Sequence, residues 1–320
     1  MEILKKVHDH GYPTEYLLSR IQGRSAGFIS DWRALIFSDG PLTAPPSTRG
    51  GESIPATPDG VWRLLSMKFT WAYDQMNSVL HGIFRPFFEY YELGNIFRCL
   101  RYKSAHAEDA IRGLLAPSLL SEAMKRLLLD SETVPLAVHR IQEELARRSE
   151  RYRGLGEMFR QDGLRGVERS MTDTYLEETI DTKLHPAVRE FFSYTIDSRN
   201  IMVLAKYLRW AGKLPPRFIR GGRIRERFFI RASAKKDTSG IGAVIRRLTG
   251  TITDSPLPIS LENSLLKGMK RFLHRARREP SGVGLILDYL WRCSLEARNL
   301  STILTGRELG KETLAEEVIV

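Results

Sequence analysis

One short helical pattern occurs three times along the chain and limits what it can fold into. The copies span 87–96, 192–201 and 291–300. Taking the asparagine of each (Asn95, Asn200, Asn299) as zero, every copy has an aromatic residue at −8 and an apolar residue at −4. A carboxylate follows at −3 (Glu92, Asp197, Glu296), Ile or Leu stands at +1, and the match extends to Cys99, Leu204 and Ile303 at +4. Residues four apart on a helix lie one above the other, so −8, −4, 0 and +4 form one stripe and set the asparagine within an apolar face. An amide buried there without hydrogen bonds costs about 1–3 kcal/mol, and the carboxylate one turn earlier is near enough to join the same polar cluster. Packing is therefore the first role read for these six residues. The chain has only five asparagines, and three of them stand in this context about 100 residues apart. The pattern is read as three copies of one domain rather than three unrelated amphipathic helices.

The rest of the chain reads as helices joined by short breaks. A helix starts at 16–21 and breaks near Gly23 to Gly27; Ser30 is read as the cap of the next turn, containing Asp31 and Trp32. A similar start recurs at 119–122. Pro, Gly, Ser and Thr crowd residues 40–60, which are expected to form a flexible loop. Helical periodicity resumes at Val61 and runs through the first signature to about Lys103. It continues over 107–115, 121–129, 134–148 and 164–210, where Pro186 must start or kink a helix and Gly212 is a natural end. No apolar/polar alternation is long enough for a sheet. The expected fold is all-α, with helical repeat domains over 1–104, 105–212 and 213–320.

The 320 residues carry a formal charge of +11. Such a surface attracts anionic partners: nucleic acid, acidic headgroups or an acidic protein face. Two tracts concentrate the charge. Around Gly221-Gly222, basic and apolar residues interleave, including Arg220, Arg223, Arg225 and Arg227; Lys270, Arg271, Arg275, Arg277 and Arg278 form the second. Each reads either as an anion-facing surface or as the solvated side of an amphipathic segment, and charge runs are more often the latter. No run approaches 18 apolar residues, and the N-terminal residues lack the apolar core of a signal peptide, so a cytoplasmic place is expected.

Recognisable catalytic chemistry is missing from the sequence. There is no phosphate-binding Gly-rich loop with its lysine, no dinucleotide fingerprint and no nucleophile elbow. His8-Asp9-His10 is the only close histidine pair and lacks further ligands for a metal. Cys99 and Cys293 sit at non-equivalent positions inside helical patterns and read as buried reduced thiols. No catalytic, cofactor or metal residue is assigned. A basic helical-repeat nucleic-acid binder is the alternative from another class, although no RNP-type, zinc-finger or KH-type motif is present.

The third signature in full, 282–290 followed by 296–300 and 303–307, resembles the C-terminal motif of the C-type subunit of archaeal-type and bacterial A/V-type rotary ATPases, whose eukaryotic counterpart is the d-type subunit. The second signature with Leu208, Arg209 and 218–223 is similar to the middle domain of that family and the Gly-Gly tract after it. Residues 16–21 with Arg24 are similar to its opening motif, so the resemblance runs from about Tyr16 onward. It implies three homologous helical domains in a funnel of pseudo-threefold symmetry, with no active site and no cofactor. It further implies a peripheral place on the cytoplasmic side of the membrane, as part of the rotor of a V-type ATPase or ATP synthase engaged in hydrogen ion or other ion transport. The implied partners are the membrane proteolipid (c/K-type) ring and the D and F proteins of the central shaft. Arg220, Arg223, Arg225 and Arg227 are the residues chosen for contact with the ring or with anionic lipid headgroups. No nucleic acid is expected.

Overall fold

The structure, a computed structural model, describes residues 2–38, 54–210, 216–236, 239–250, 258–306, 308 and 310–319. Among them the regular structure is helical: α1 (Thr14–Ser25), α2 (Trp32–Phe37), α3 (Pro58–Asp74), α4 (Ser78–Ser104), α5 (Glu108–Leu115), α6 (Glu122–Asp130), α7 (Val134–Ala146), α8 (Leu155–Asp181), α9 (Pro186–Arg209), α10 (Glu226–Lys235), α11 (Ser239–Thr249), α12 (Pro258–Ala276), α13 (Val283–Thr305) and α14 (Lys311–Glu317). A 3-10 turn spans Glu150–Tyr152, and one antiparallel bridge pairs Leu4 with Leu120. The chain is all-α, as its periodicity requires. No helix among the described residues is long and apolar enough to cross a membrane.

Helix starts follow local chemistry. Asn77, Ser121 and Thr133 cap α4, α6 and α7 by accepting the N–H of the third residue on. Pro186 begins α9, where its missing N–H is no loss. The cap of α2 is Asp31, not Ser30: the Asp31 carboxylate accepts from the Ala34 N–H, which places the true cap one residue later than expected. The stretch expected from Leu164 starts earlier, at Leu155, because α8 continues through a break at Asp162 and Gly163. The expected loop at 40–60 falls largely outside the described residues, but Pro58, Asp59 and Gly60 already form the first turn of α3. Gly212 also lies outside them; α9 ends at Arg209.

By contact the chain forms two compact units, residues 1–17 with 59–179, and residues 18–58 with 180–320. This grouping follows other boundaries than the sequence repeats at 104 and 212. In the first unit, α4 packs an aromatic core: Phe69 meets Phe87, Phe88 and Tyr91 edge to face, at ring distances of 5.2–5.9 Å. Such pairs add about 0.5–1.5 kcal/mol each beyond the area they bury. In the second unit, α13 is the central element. Every residue from Val283 to Trp291 is buried, as expected of a helix apolar on all sides, and α12 and α14 pack against it.

The first unit also buries a charge that the sequence reading did not single out. Glu89 is 2% exposed and accepts from Arg85 Nε at 3.0 Å, Arg148 Nη1 at 3.1 Å and the Tyr175 hydroxyl at 3.2 Å. Three donors from three separate parts of the chain converge on one carboxylate; without it Arg85 keeps Glu2 and the Tyr175 hydroxyl keeps Pro86 O, while Arg148 loses its partner. Glu89→Ala is expected to lower the unfolding free energy by about 2–3 kcal/mol, since the two guanidinium groups left behind are partly exposed. Urea titration of the variant checks this; a loss below about 1 kcal/mol would mean that solvent replaces the carboxylate.

Candidate functional site

All three signatures sit in the middle of long helices, α4, α9 and α13, and all six polar residues are buried. Their partners are mostly backbone groups of segments that have no helix partners of their own. In α9, the Asn200 amide donates to Ile219 O at 2.8 Å and accepts from Ile219 N at 2.8 Å, a two-point clamp on one peptide residue. In α13, Asn299 makes the same pair with Ile319, at 2.8 and 3.2 Å. The sequence separations are 19 and 20 residues. Asn95 in α4 differs: it donates to Glu92 Oε2 at 2.9 Å and to Ser66 Oγ at 3.4 Å. Only in this copy do the asparagine and carboxylate bond each other among the described residues, so the single polar cluster expected for every copy forms in one. In α9 the two side chains reach separate points of one docked segment, 219–224, and in α13 they reach two different segments, at Ile319 and Ile29.

The carboxylates share a stricter geometry. Glu92 accepts the Leu119 N–H at 2.9 Å, Asp197 the Arg223 N–H at 2.9 Å and Glu296 the Ile29 N–H at 3.0 Å. Leu119, Arg223 and Ile29 each stand two residues before an N-cap: Ser121 of α6, Arg225 of α10 and Asp31 of α2. Each signature helix thus docks the lead-in to a further helix. Glu92 and Asp197 also take a second donor, the Ser118 hydroxyl at 2.6 Å and the Ile224 N–H at 3.1 Å. For both copies the two partners lie 26 and 27 residues downstream. For α13 the lead-in precedes it in sequence, and Ile29 and Ile319, held by Glu296 and Asn299, line one cavity.

At Asp197 the docked segment is the Gly-Gly tract. Gly221 has φ +97°, and a Cβ on it would strike the Ile180 side chain. A Cβ on Gly222 would fall on Asp197 Oδ1, so the carboxylate reaches the Arg223 and Ile224 amides only past a bare backbone. Burial pushes the Asp197 carboxyl from 3.8 up to about 6, against the two backbone N–H bonds that pull it down. Burial likewise raises Glu92, opposed by Ser118, Asn95 and the Leu119 amide.

The four arginines selected from this tract are all exposed, and they differ in what holds them. The Arg223 guanidinium pairs with Glu190 and lies 5.7 Å from the centre of the Phe272 ring. Arg225 is the cap residue of α10 without a side-chain capping bond. Arg223, Arg225 and Arg227 line a groove with Arg231, which ends the same basic tract, and with Lys235 and Arg247, which the sequence reading did not connect to them; Arg220 does not line it. Of the second basic tract, Lys270, Arg271, Arg275 and Arg277 face a second cavity, of about 960 Å³, beside Asp288. Cys99 and Cys293 are buried and unpaired with each other, and burial pushes the Cys99 thiol up to about 12, where it is unreactive. Asp9 accepts from the Gly11 and Ser78 amides, and among the described residues no group of three His, Cys, Asp or Glu side chains is placed to hold a metal ion.

Two outcomes are expected of these clamps. Asn200→Ala and Asn299→Ala each strand a buried N–H and C=O, for a loss of about 2–4 kcal/mol, while Asn95→Ala, whose partners are side chains, costs less. Urea unfolding of the three variants tests that order. Asp197 gives a pH signature. Its folded pKa lies above the unfolded one, so between about pH 4 and 6 the folded chain keeps a proton that the unfolded chain has lost, and the stability from this group falls as pH rises through that window. Asp197→Asn should flatten the pH dependence of stability there by on the order of 2–3 kcal/mol, measured as unfolding free energy against pH. An unchanged slope would place the proton elsewhere.

Residues 63–317 match the family described as ATP synthase (C/AC39) subunit. No curated protein matches the chain. The match takes in all three signature helices, the Gly-Gly tract and most of both units, and it agrees with the resemblance carried by the signature residues. The chain belongs to the ATP synthase (C/AC39) subunit family.

Proposed function

We propose that this chain is a non-catalytic central-stalk component of an A/V-type ATPase or ATP synthase: a socket that sits on the cytoplasmic face of the membrane proteolipid ring and receives the central shaft, built of the D and F proteins. In that place it passes torque between ring and head during ATP synthesis or hydrolysis. The observation that carries the reading is the family match over 63–317.

The clamps support it physically. A torque-bearing adaptor must be stiff between its two faces, and close-packed helices supply stiffness only if their connections are held as firmly as the helices. The three carboxylates fix connections to helix faces largely through backbone bonds, and at Asp197 that grip depends on the bare backbone of Gly222. Their common register, two residues before an N-cap, also favours descent of the three signature regions from one unit, with the third completed by residues around Ile29. Arg220, Arg223, Arg225 and Arg227 are assigned to the ring or to anionic headgroups, where each nearby cation contributes about 1 kcal/mol. Arg223, already paired with Glu190, is the weakest of the four candidates.

The test is a pull-down from detergent-solubilised native membranes with mass spectrometry of what co-purifies, repeated with glutamate at the four arginines. Ring and D/F-type shaft proteins are expected with the wild type, and shaft without ring with the charge-reversed chain. Nucleic acid without ATPase components would overturn the reading.

A further inference from the structure

Between α10 and α11 the second unit contains a groove of about 890 Å³ whose wall carries six cations and no carboxylate. Arg227, Arg231 and Lys235 reach it from one face of α10, four residues apart, and Arg247 from α11. Among the described residues Arg225, Arg227, Arg231, Lys235 and Arg247 enter no ion pair, whereas Arg223 is held by Glu190. Like charges four apart on a helix oppose its formation. Folding therefore gives no reason for the row on α10, and a solvated face would not need to be concave. The floor is apolar: Ile224, Phe228, Val244 and Leu248 line the groove and pack, partly buried, on the core cluster around Phe229 and Ile245.

Cations at the rim and apolar side chains at the floor match a ligand with the same two halves. Guanidinium forks bind phosphate oxygens in pairs, and the volume lies within the range of small-ligand sites, about 300–1,000 Å³. We propose that this groove is a binding site for an anionic phospholipid, the phosphate on Arg227, Arg231 and Arg247 and the proximal methylenes of its chains against Phe228 and Leu248. The assignment deepens the headgroup contact proposed above and rests on that reading only for where the lipid comes from. Arg231, Lys235 and Arg247 are new to it.

The isolated full-length chain is sedimented with phosphatidylcholine vesicles with and without phosphatidylglycerol, which needs no other component of the ATPase and so separates failure of the site from failure of the complex. The triple variant Arg227→Gln, Arg231→Gln, Arg247→Gln is compared with Arg112→Gln, Arg126→Gln, Arg165→Gln, which removes equal charge from exposed positions of the first unit. At about 1 kcal/mol for each cation at an anionic surface, the groove triple should lose roughly 100-fold in affinity for phosphatidylglycerol vesicles, and the control triple only a few-fold. Thermal unfolding verifies that both fold. Equal losses from the two triples would reduce the effect to net charge and overturn the site, as would no loss from either. Tripolyphosphate added as competitor completes the test. If it bound in a groove-dependent manner while vesicles did not, the phosphate would come from a soluble ligand and the lipid assignment would fall.

Discussion

A carboxylate buried in the middle of a helix, turned outward to accept the backbone N–H groups of a passing chain, is the interaction on which this fold depends. A helix satisfies its own backbone internally, but the two or three residues that lead into the next helix have no such recourse when packing buries them. Glu92, Asp197 and Glu296 supply the missing acceptors at 2.9–3.0 Å. Charge-assisted bonds of this kind are roughly twice as strong as neutral ones, and they offset part of the desolvation, which still leaves Glu92 and Asp197 above their ordinary pKa. Packing follows from them. Once the lead-in is fixed, the direction of α6, α10 and α2 is fixed with it.

The asparagines do complementary work with a different chemistry. An amide side chain can donate and accept at once, so a single residue closes both hydrogen-bonding groups of Ile219 or Ile319. A carboxylate could not do this, having no donor when ionised, and a hydroxyl is too short to span both groups. This explains why the amide stands at the stripe position, facing the docked chain, and the acid one turn earlier.

Much of this was legible in the sequence, because both the stripe and the helix caps obey local rules. Periodicity placed the helices, and the recurrence of asparagine with a carboxylate three residues earlier marked the buried polar groups before any contact was known. What these groups hold was not legible, since their partners are backbone atoms, which leave no residue-specific trace. Gly221-Gly222 was the one visible sign: a bare backbone where Asp197 approaches. Glu89 escaped notice because its position within the first copy does not recur, Tyr194 and Cys293 standing there in the other two, and its partners Arg148 and Tyr175 lie 59 and 86 residues away. The cationic groove was half seen. Arg223 to Arg231 lie in one basic run along the chain, but Lys235 and Arg247 join them only through the helical turn of α10 and the return of α11.

The bond from Glu296 to the Ile29 amide spans 267 residues, and it sets an order of events during synthesis. Glu92 and Asp197 find their partners within 27 residues, soon after both leave the ribosome. The segment around Ile29 emerges early and waits for an acceptor made much later, with apolar side chains such as Trp32, Leu35 and Ile36 destined for burial beside it. Loop-closure entropy grows only slowly with such a span, so the finished contact loses little stability. Exposure time is the larger burden. Until α13 is complete these residues are a sticky, unpaired stretch, and the nascent chain meets its greatest risk of aggregation there rather than in the segments that close locally.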